Sequence, residues 1–172
     1  LKVKDVIARS RNVATAKIAR KLAPNSTQKA ARRLYNLWKK VGMTDRTGVD
    51  ISGEATGTWF DPSVRQWAPV DLANRAFGQG VSVTLPQLAR GLSTIVNGGY
   101  VVQPHFVADR VDGDDEPERA LKAKTANQAR EILKHVTGSV PWYAKGSLIP
   151  GYDIGGKTGT AQIWDTKKGQ WK

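Results

Sequence analysis

The stretch Gly155-Gly156-Lys157-Thr158-Gly159-Thr160-Ala161-Gln162 constrains this chain more than any other, because it gathers a cation, two small hydroxyls and three glycines where a buried strand would carry branched apolar residues. Glycine weakens a strand interior and a buried lysine is costly, so the composition asks for a site rather than a core. Gly159 would let another backbone lie close, Lys157 supplies positive charge, and Thr158 and Thr160 can hydrogen-bond a carboxylate. An extended peptide with an anionic end suits such an edge. The strand is placed from Tyr152 to Ile163. Strict alternation sends Lys157 and Gly159 to one face and both threonines to the other, so the site is expected at the strand's edge.

With 172 residues, 40% of them hydrophobic and 24% charged, the chain has the make-up of one globular domain, 1–172. No apolar run approaches the roughly 20 residues that cross a bilayer, and the first residues lack the apolar centre of a signal peptide, so an anchor is expected outside this chain. Without cysteine there is no disulfide, thiol nucleophile or thiolate ligand. The net charge of +12 fits either solvated basic faces or attraction to an anionic polymer, nucleic acid or membrane.

Apolar spacing from Val3 to Leu22 predicts two helical pieces broken at Ser10-Arg11-Asn12. Asn25 or Ser26 can cap a helix whose stripe is Ala30, Leu34, Leu37, Trp38 and Val41, ended by Gly42. Thr44 to Pro69 reads as a long ordered loop pinned by Trp59, Phe60 and Trp67, and Leu72 to Phe77 as a short helix. Thr84 and Gln87 form a capping box for a helix from Leu85 to Val96, striped by Leu85, Leu88, Ala89, Leu92, Ile95 and Val96 and stopped by Asn97-Gly98-Gly99. Tyr100–Val102 and His105–Val107 read as strand material, followed by an acidic turn at Asp112–Glu116. Thr125 can cap a helix burying Ala126, Ala129, Ile132, Leu133 and Val136, with a loop from Thr137 to Pro150 behind it.

Ser10-Arg11-Asn12 places a hydroxyl and a carboxamide on a tight turn, where one can relay a proton and the other grip a substrate amide. Asn12 could equally cap the helix that follows. Only partnership with Lys157 would favour the site. His105 and His135 stand far apart without cysteine or paired carboxylates, so no metal site is expected, and the acidic turn lacks the spaced ligands of a calcium loop.

Ser10-Arg11-Asn12 with Val13–Ala19, then Thr47-Gly48-Val49-Asp50 with Gly53-Glu54 and Gly57, Gly78-Gln79-Gly80, Val83–Ala89, Asn97–Gly99 and Gly155–Gln162 occur in one order. Together they resemble the transpeptidase domain of penicillin-binding proteins, most closely the class B, monofunctional kind. The resemblance implies an α+β fold with helices packed on an antiparallel β-sheet, as in serine β-lactamases. It implies acyl transfer through an active-site serine from peptidoglycan stem peptides ending in D-alanyl-D-alanine, and acylation of that serine by β-lactams. Ser10 would carry a proton toward the leaving amine, Asn12 would hold the donor peptide, and Lys157 would support Ser10 and the substrate carboxylate. Thr158 and Thr160 would bind that carboxylate beside Gly159, with the Thr160 N–H as half of an oxyanion hole. No cofactor or nucleic acid is implied. The expected setting is the cell envelope, outside the cytoplasmic membrane, alongside the remainder of the domain and other wall-synthesis proteins.

The family's S-x-x-K element, which carries the nucleophile, should precede Ser10, and only nine residues do. The one literal match, Ser26-Thr27-Gln28-Lys29, lies after Ser10 and is explained by helix capping. The chain is therefore expected to be the middle of a transpeptidase domain, inactive alone, with further strands beyond Lys172. A β-lactam sensor or serine β-lactamase on the same fold, and a non-enzymatic basic module using the Lys29–Lys40 face, remain alternatives.

Overall fold

The computed structural model describes residues 2–108, 117–144, 149–161, 164–165 and 167–171. α1 (Val3–Ala8) buries Val6 and closes in a hydrogen-bonded turn, with the Ser10 N–H on the Ile7 carbonyl at 3.0 Å and the Arg11 N–H on Val6 at 2.9 Å. That pairing needs a left-handed residue just past the helix, and Ser10 supplies it with φ 50°. α2 (Asn12–Lys21) restarts at once, so the predicted break is present. Asn12, however, is not a cap: Arg11 holds that position, and no side chain caps the helix.

α3 (Thr27–Lys40) is capped by Ser26, whose hydroxyl accepts from the Lys29 N–H at 3.2 Å. Ala19, Ala30, Ala31, Trp67 and Leu72 form the core where α2 and α3 meet α4 (Pro69–Ala76). Ala30 and Ala31 are fully buried, and their small size lets the neighbouring helices close in. Leu37, expected in the buried stripe, is 46% exposed. α4 starts earlier than the Leu72 expected, because Pro69 is preset for a helix's first turn and Asp71 accepts the Ala68 N–H at 2.9 Å. The loop before α4 is pinned as expected. Trp38 meets Trp59 and Trp67 with ring centroids 5.3 and 6.1 Å away, and the Arg75 guanidinium lies over Phe60 and Trp67.

α5 (Leu85–Val96) carries the predicted Thr84–Gln87 capping box, but its burial is turned around. Leu85, Leu92 and Val96 are exposed, while Gln87, Gly91 and Thr94 face inward. The reason is polar: the Gln87 amide accepts the Gly57 N–H at 3.1 Å and donates to the Asp45 carbonyl at 3.0 Å. In place of a strand at Tyr100–Val102 there is one antiparallel bridge, Tyr100 to Arg119. At His105–Val107 no ladder forms, and the N–H groups of Phe106 and Val107 go instead to the Asp50 carboxylate, at 2.7 and 2.9 Å. The acidic turn Asp112–Glu116 lies outside the described residues.

α6 (Ala123–Ser139) begins with Lys122 at its cap position, so Thr125 sits inside the helix rather than capping it, and it runs on past Thr137 before α7 (Pro141–Ala144). It packs along α1 and α5. The strand expected from Tyr152 is not seen over residues 152–161, which form no ladder, and Gln162 and Ile163 lie outside the described residues. Beyond them β1 (Trp164–Asp165) pairs antiparallel with β2 (Gln170–Trp171). No helix among the described residues is long and apolar enough to cross a membrane.

Candidate active site

The turn after α1 and the glycine-rich segment meet. Lys157 Nζ donates to Ser10 Oγ at 2.9 Å, to the Thr158 carbonyl at 2.8 Å and to Thr158 Oγ1 at 3.3 Å. Around this contact lies a cleft of about 530 Å³ whose walls include Ser10, Asn12, Lys157, Thr158, Gly159 and Thr160. All six residues singled out in the sequence thus face one space. Alternation does not divide them, because the segment is not pleated into a ladder here and runs along the cleft instead.

Each half of the site has its own local cause. Ser10 is the one non-glycine residue with positive φ among the described residues, a conformation that costs an L-residue about 1–2 kcal/mol and gathers at functional sites. The turn lifts its hydroxyl off the end of α1, and with no cap to make, the Asn12 carboxamide is left to the cleft. The Lys157 segment is laid on α6: Thr137 Oγ1 donates to the Ile154 carbonyl at 2.6 Å, the Gly156 N–H reaches the Leu133 carbonyl at 3.3 Å, and Lys134 Nζ holds Asp153 at 3.0 Å. The Asp153 carboxylate pushes the Lys134 ammonium above its ordinary range. Gly155 lets the segment lie close on α6, since a Cβ would stand 3.0 Å from Leu133 Cβ and push the two apart by a few tenths of an ångström. At Gly159 nothing lies within 4 Å of that position, so the close approach it permits is left open to a ligand.

Sequence reading missed part of the wall. Thr15 lines the cleft one turn after Asn12 on the same face of α2, which the i, i+3 spacing could have shown. Phe77 and Gln79 line it from the end of α4, where Gly78 and Gly80 take positive φ and present Gln79 between them. Gly78-Gln79-Gly80 was legible as a motif, though not as a wall.

Two carboxylates shape the long loop that precedes α4. Glu54 accepts the Thr47 N–H and hydroxyl, each at 2.7 Å, and the Gly48 N–H at 3.0 Å. Desolvation raises the Glu54 pKa, but these bonds and nearby Arg46 outweigh it and bring the carboxyl below its ordinary range. Asp50 is lowered chiefly by the N–H groups of Phe106 and Val107. Burial lowers the pKa of Arg90, which donates to the Arg46 and Thr47 carbonyls at 3.3 and 3.1 Å. Among the described residues no three His, Cys, Asp or Glu side chains gather as metal ligands. The chemistry on offer is a hydroxyl held by an ammonium, a carboxamide, and a rim of hydroxyls and backbone groups suited to an anionic peptide end.

Residues 1–172 match the family described as the penicillin binding protein transpeptidase domain. Penicillin-binding protein PbpB of Mycobacterium tuberculosis is 34% identical over 170 residues, covering 91% of this chain and 24% of that protein. The probable peptidoglycan D,D-transpeptidase PenA of Neisseria flavescens is 29% identical over 94% of this chain and 38% of its own length. The crystal structure of penicillin binding protein 3 from Mycobacterium tuberculosis, complexed with aztreonam, superposes with TM-score 0.80 at 29% identity, covering 99% of this chain and 39% of that one. The chain thus spans between 24% and 39% of these proteins.

Proposed function

The chain belongs to the penicillin-binding protein transpeptidase family, and from that premise we propose that it forms part of a serine D,D-transpeptidase domain that cross-links peptidoglycan at the outer face of the cytoplasmic membrane. The observation that carries this reading is the 2.9 Å contact between Lys157 Nζ and Ser10 Oγ, which makes one site of two motifs from opposite ends of the chain.

In the reaction, a serine hydroxyl attacks the carbonyl of the penultimate D-alanine, and the amide bond to the terminal D-alanine breaks. The nucleophile belongs to an S-x-x-K element other than Ser26–Lys29, whose hydroxyl is committed to capping α3. The proton lost by the attacking hydroxyl is relayed through Ser10, which gives its own to the departing amine and takes up that proton in turn, with Lys157 stabilising the negative charge that builds on Ser10 during the exchange. Asn12 grips the donor peptide, and Thr158 and Thr160 bind its carboxylate on the open side of Gly159. The Thr160 N–H donates to the oxyanion. An amine of a second stem peptide then attacks the ester, forming the cross-link and freeing the serine. β-Lactams enter the same cleft and leave the serine acylated. The rest of the domain supplies an antiparallel sheet that continues from the Lys157 segment.

The test is acylation of the full-length protein by a fluorescent penicillin. Stoichiometric label on the serine of an S-x-x-K element, slowed by D-alanyl-D-alanine peptides, supports the reading, and absence of label from a folded full-length protein overturns it.

A further inference from the structure

Both halves of the cleft are fastened to the same short stretch of α6. On one side, Leu133, Lys134 and Thr137 hold residues 153–156, which lead into Lys157. On the other, His135 reaches across to α1, with Nε2 3.3 Å from Asp5 Oδ1, and α1 ends directly in the turn that carries Ser10. We propose that Asp5 and His135 are positioning residues for the transfer reaction: the pair sets where α1 lies on α6, and so fixes the Ser10 hydroxyl against the Lys157 ammonium.

The contact is built to persist. Ser139 Oγ lies 3.0 Å from His135 Nδ1 and 3.3 Å from Nε2, so it braces from α6 itself the ring whose Nε2 faces the carboxylate. With a proton on Nε2, in the neutral ring or the imidazolium, His135 donates to Asp5, and the Ser139 hydroxyl can accept from or donate to Nδ1 accordingly. Side-chain exposures of 28% and 34% put the pair partly out of water, where it is worth more than an exposed surface pair. Its charged neighbours do not replace either partner. Lys134 is engaged with Asp153 at 3.0 Å and Glu131 at 3.6 Å, and Lys4 shares with Glu131, Lys134 and His135 an open hollow of about 460 Å³. Asp5 also lies on the first turn of α1, where a carboxylate suits the helix dipole, and its backbone carbonyl takes the Arg9 N–H at 3.1 Å as the helix closes. Losing the side-chain bond leaves that backbone turn intact while freeing the helix to shift.

The inference rests on the transpeptidase reading for its kinetic arm, so a second arm is independent of activity. In the full-length protein, Asp5→Ala and His135→Leu should each slow the acylation step by a fluorescent penicillin about tenfold, since a misplacement near 1 Å costs up to about 10²-fold. The concentration giving half-maximal rate should stay unchanged. His135→Gln, which keeps an N–H for Asp5, should recover the rate to within about twofold of the unaltered protein, and the double variant should be no slower than either single change, as expected of one shared contact. In hydrogen exchange, the Ser10 and Arg11 amides should open faster in Asp5→Ala and His135→Leu, with α3 amides unchanged. Unaltered acylation rates in both variants, or unaltered exchange at Ser10 and Arg11, would overturn the proposal. If the unaltered protein takes no label, the transpeptidase reading falls and the exchange measurement alone decides this one.

Discussion

Ser10 and Lys157 stand 147 positions apart in the chain and 2.9 Å apart in space, hydroxyl to ammonium. The lysine is exposed and spans no core, so its loss should leave the fold alone and remove only the charge beside the hydroxyl. Lys157→Met in the full-length protein should lower the rate of penicillin acylation about 10²- to 10³-fold, the usual cost of one preorganised electrostatic contact, with Tm unchanged. Lys157→Arg should not rescue it, because a planar fork cannot take the place of a compact ammonium that also reaches the Thr158 carbonyl. A variant rate within a factor of three of the unaltered protein would remove Lys157 from the mechanism.

The backbone of Ser10 resists its own side chain. With φ 50° it occupies the position past a helix that glycine favours, and the role proposed for its hydroxyl gives a serine reason to stand there. Ser10→Gly should be more stable than Ser10→Ala by about 1 kcal/mol in denaturant titrations, and both should lose acylation activity. Equal stability for the two variants would mean that the turn carries no strain.

Acid should loosen the loop that Glu54 ties together. Its folded pKa lies below its unfolded value, so its contribution to stability is full above the unfolded value of about 4.3 and fades as pH falls through the folded one. Asp50 acts with the same sign. At pH 7, Glu54→Gln should cost about 1 kcal/mol, allowing for solvent screening, and the difference from the unaltered protein should shrink below about pH 4. A gap that stays constant through that range would assign the loss to packing instead of charge.

Ser26 should be inert. Its hydroxyl accepts the Lys29 N–H at 3.2 Å, and Lys29 is exposed, so neither group is arranged as nucleophile and base. Incubated with labelled penicillin, the 172-residue chain should show no adduct at Ser26 by mass spectrometry. Ser26→Ala should instead destabilise α3 by about 1 kcal/mol.

What the sequence made legible was local. The interruption at Ser10, the capping residues Ser26 and Thr84, and the aromatic pins Trp59 and Trp67 follow from short-range rules, and the structure carries them. Lys157, Thr158, Gly159 and Thr160 could be named because glycine and lysine are out of place in a buried strand, whereas Ser10 and Asn12 read equally well as a helix cap until the family resemblance joined them to Lys157. Missing from view was everything decided by a distant partner. Amphipathicity drew an apolar stripe on α5 whose Leu85, Leu92 and Val96 the structure leaves exposed, and could not tell that Gln87 would be buried for the sake of Gly57 and Asp45. The left-handed turn at Ser10 has no signature, because serine is not the residue that geometry selects. Thr137 and His135 look like ordinary helix positions until Ile154 and Asp5 are set beside them.

The amide of Gln87, wholly enclosed, fixes three points of the chain at once: Asp45, Gly57 and Thr84. That rivet decides where the surrounding loop is free to change its length. Between Asp45 and Gly57 an inserted residue would pull the backbone off its fastening, whereas the exposed tip from Ser63 to Gln66 can grow without moving anything the cleft depends on. Reporter tags or labels belong at Val64, which is 88% exposed and lies outside the fastened span.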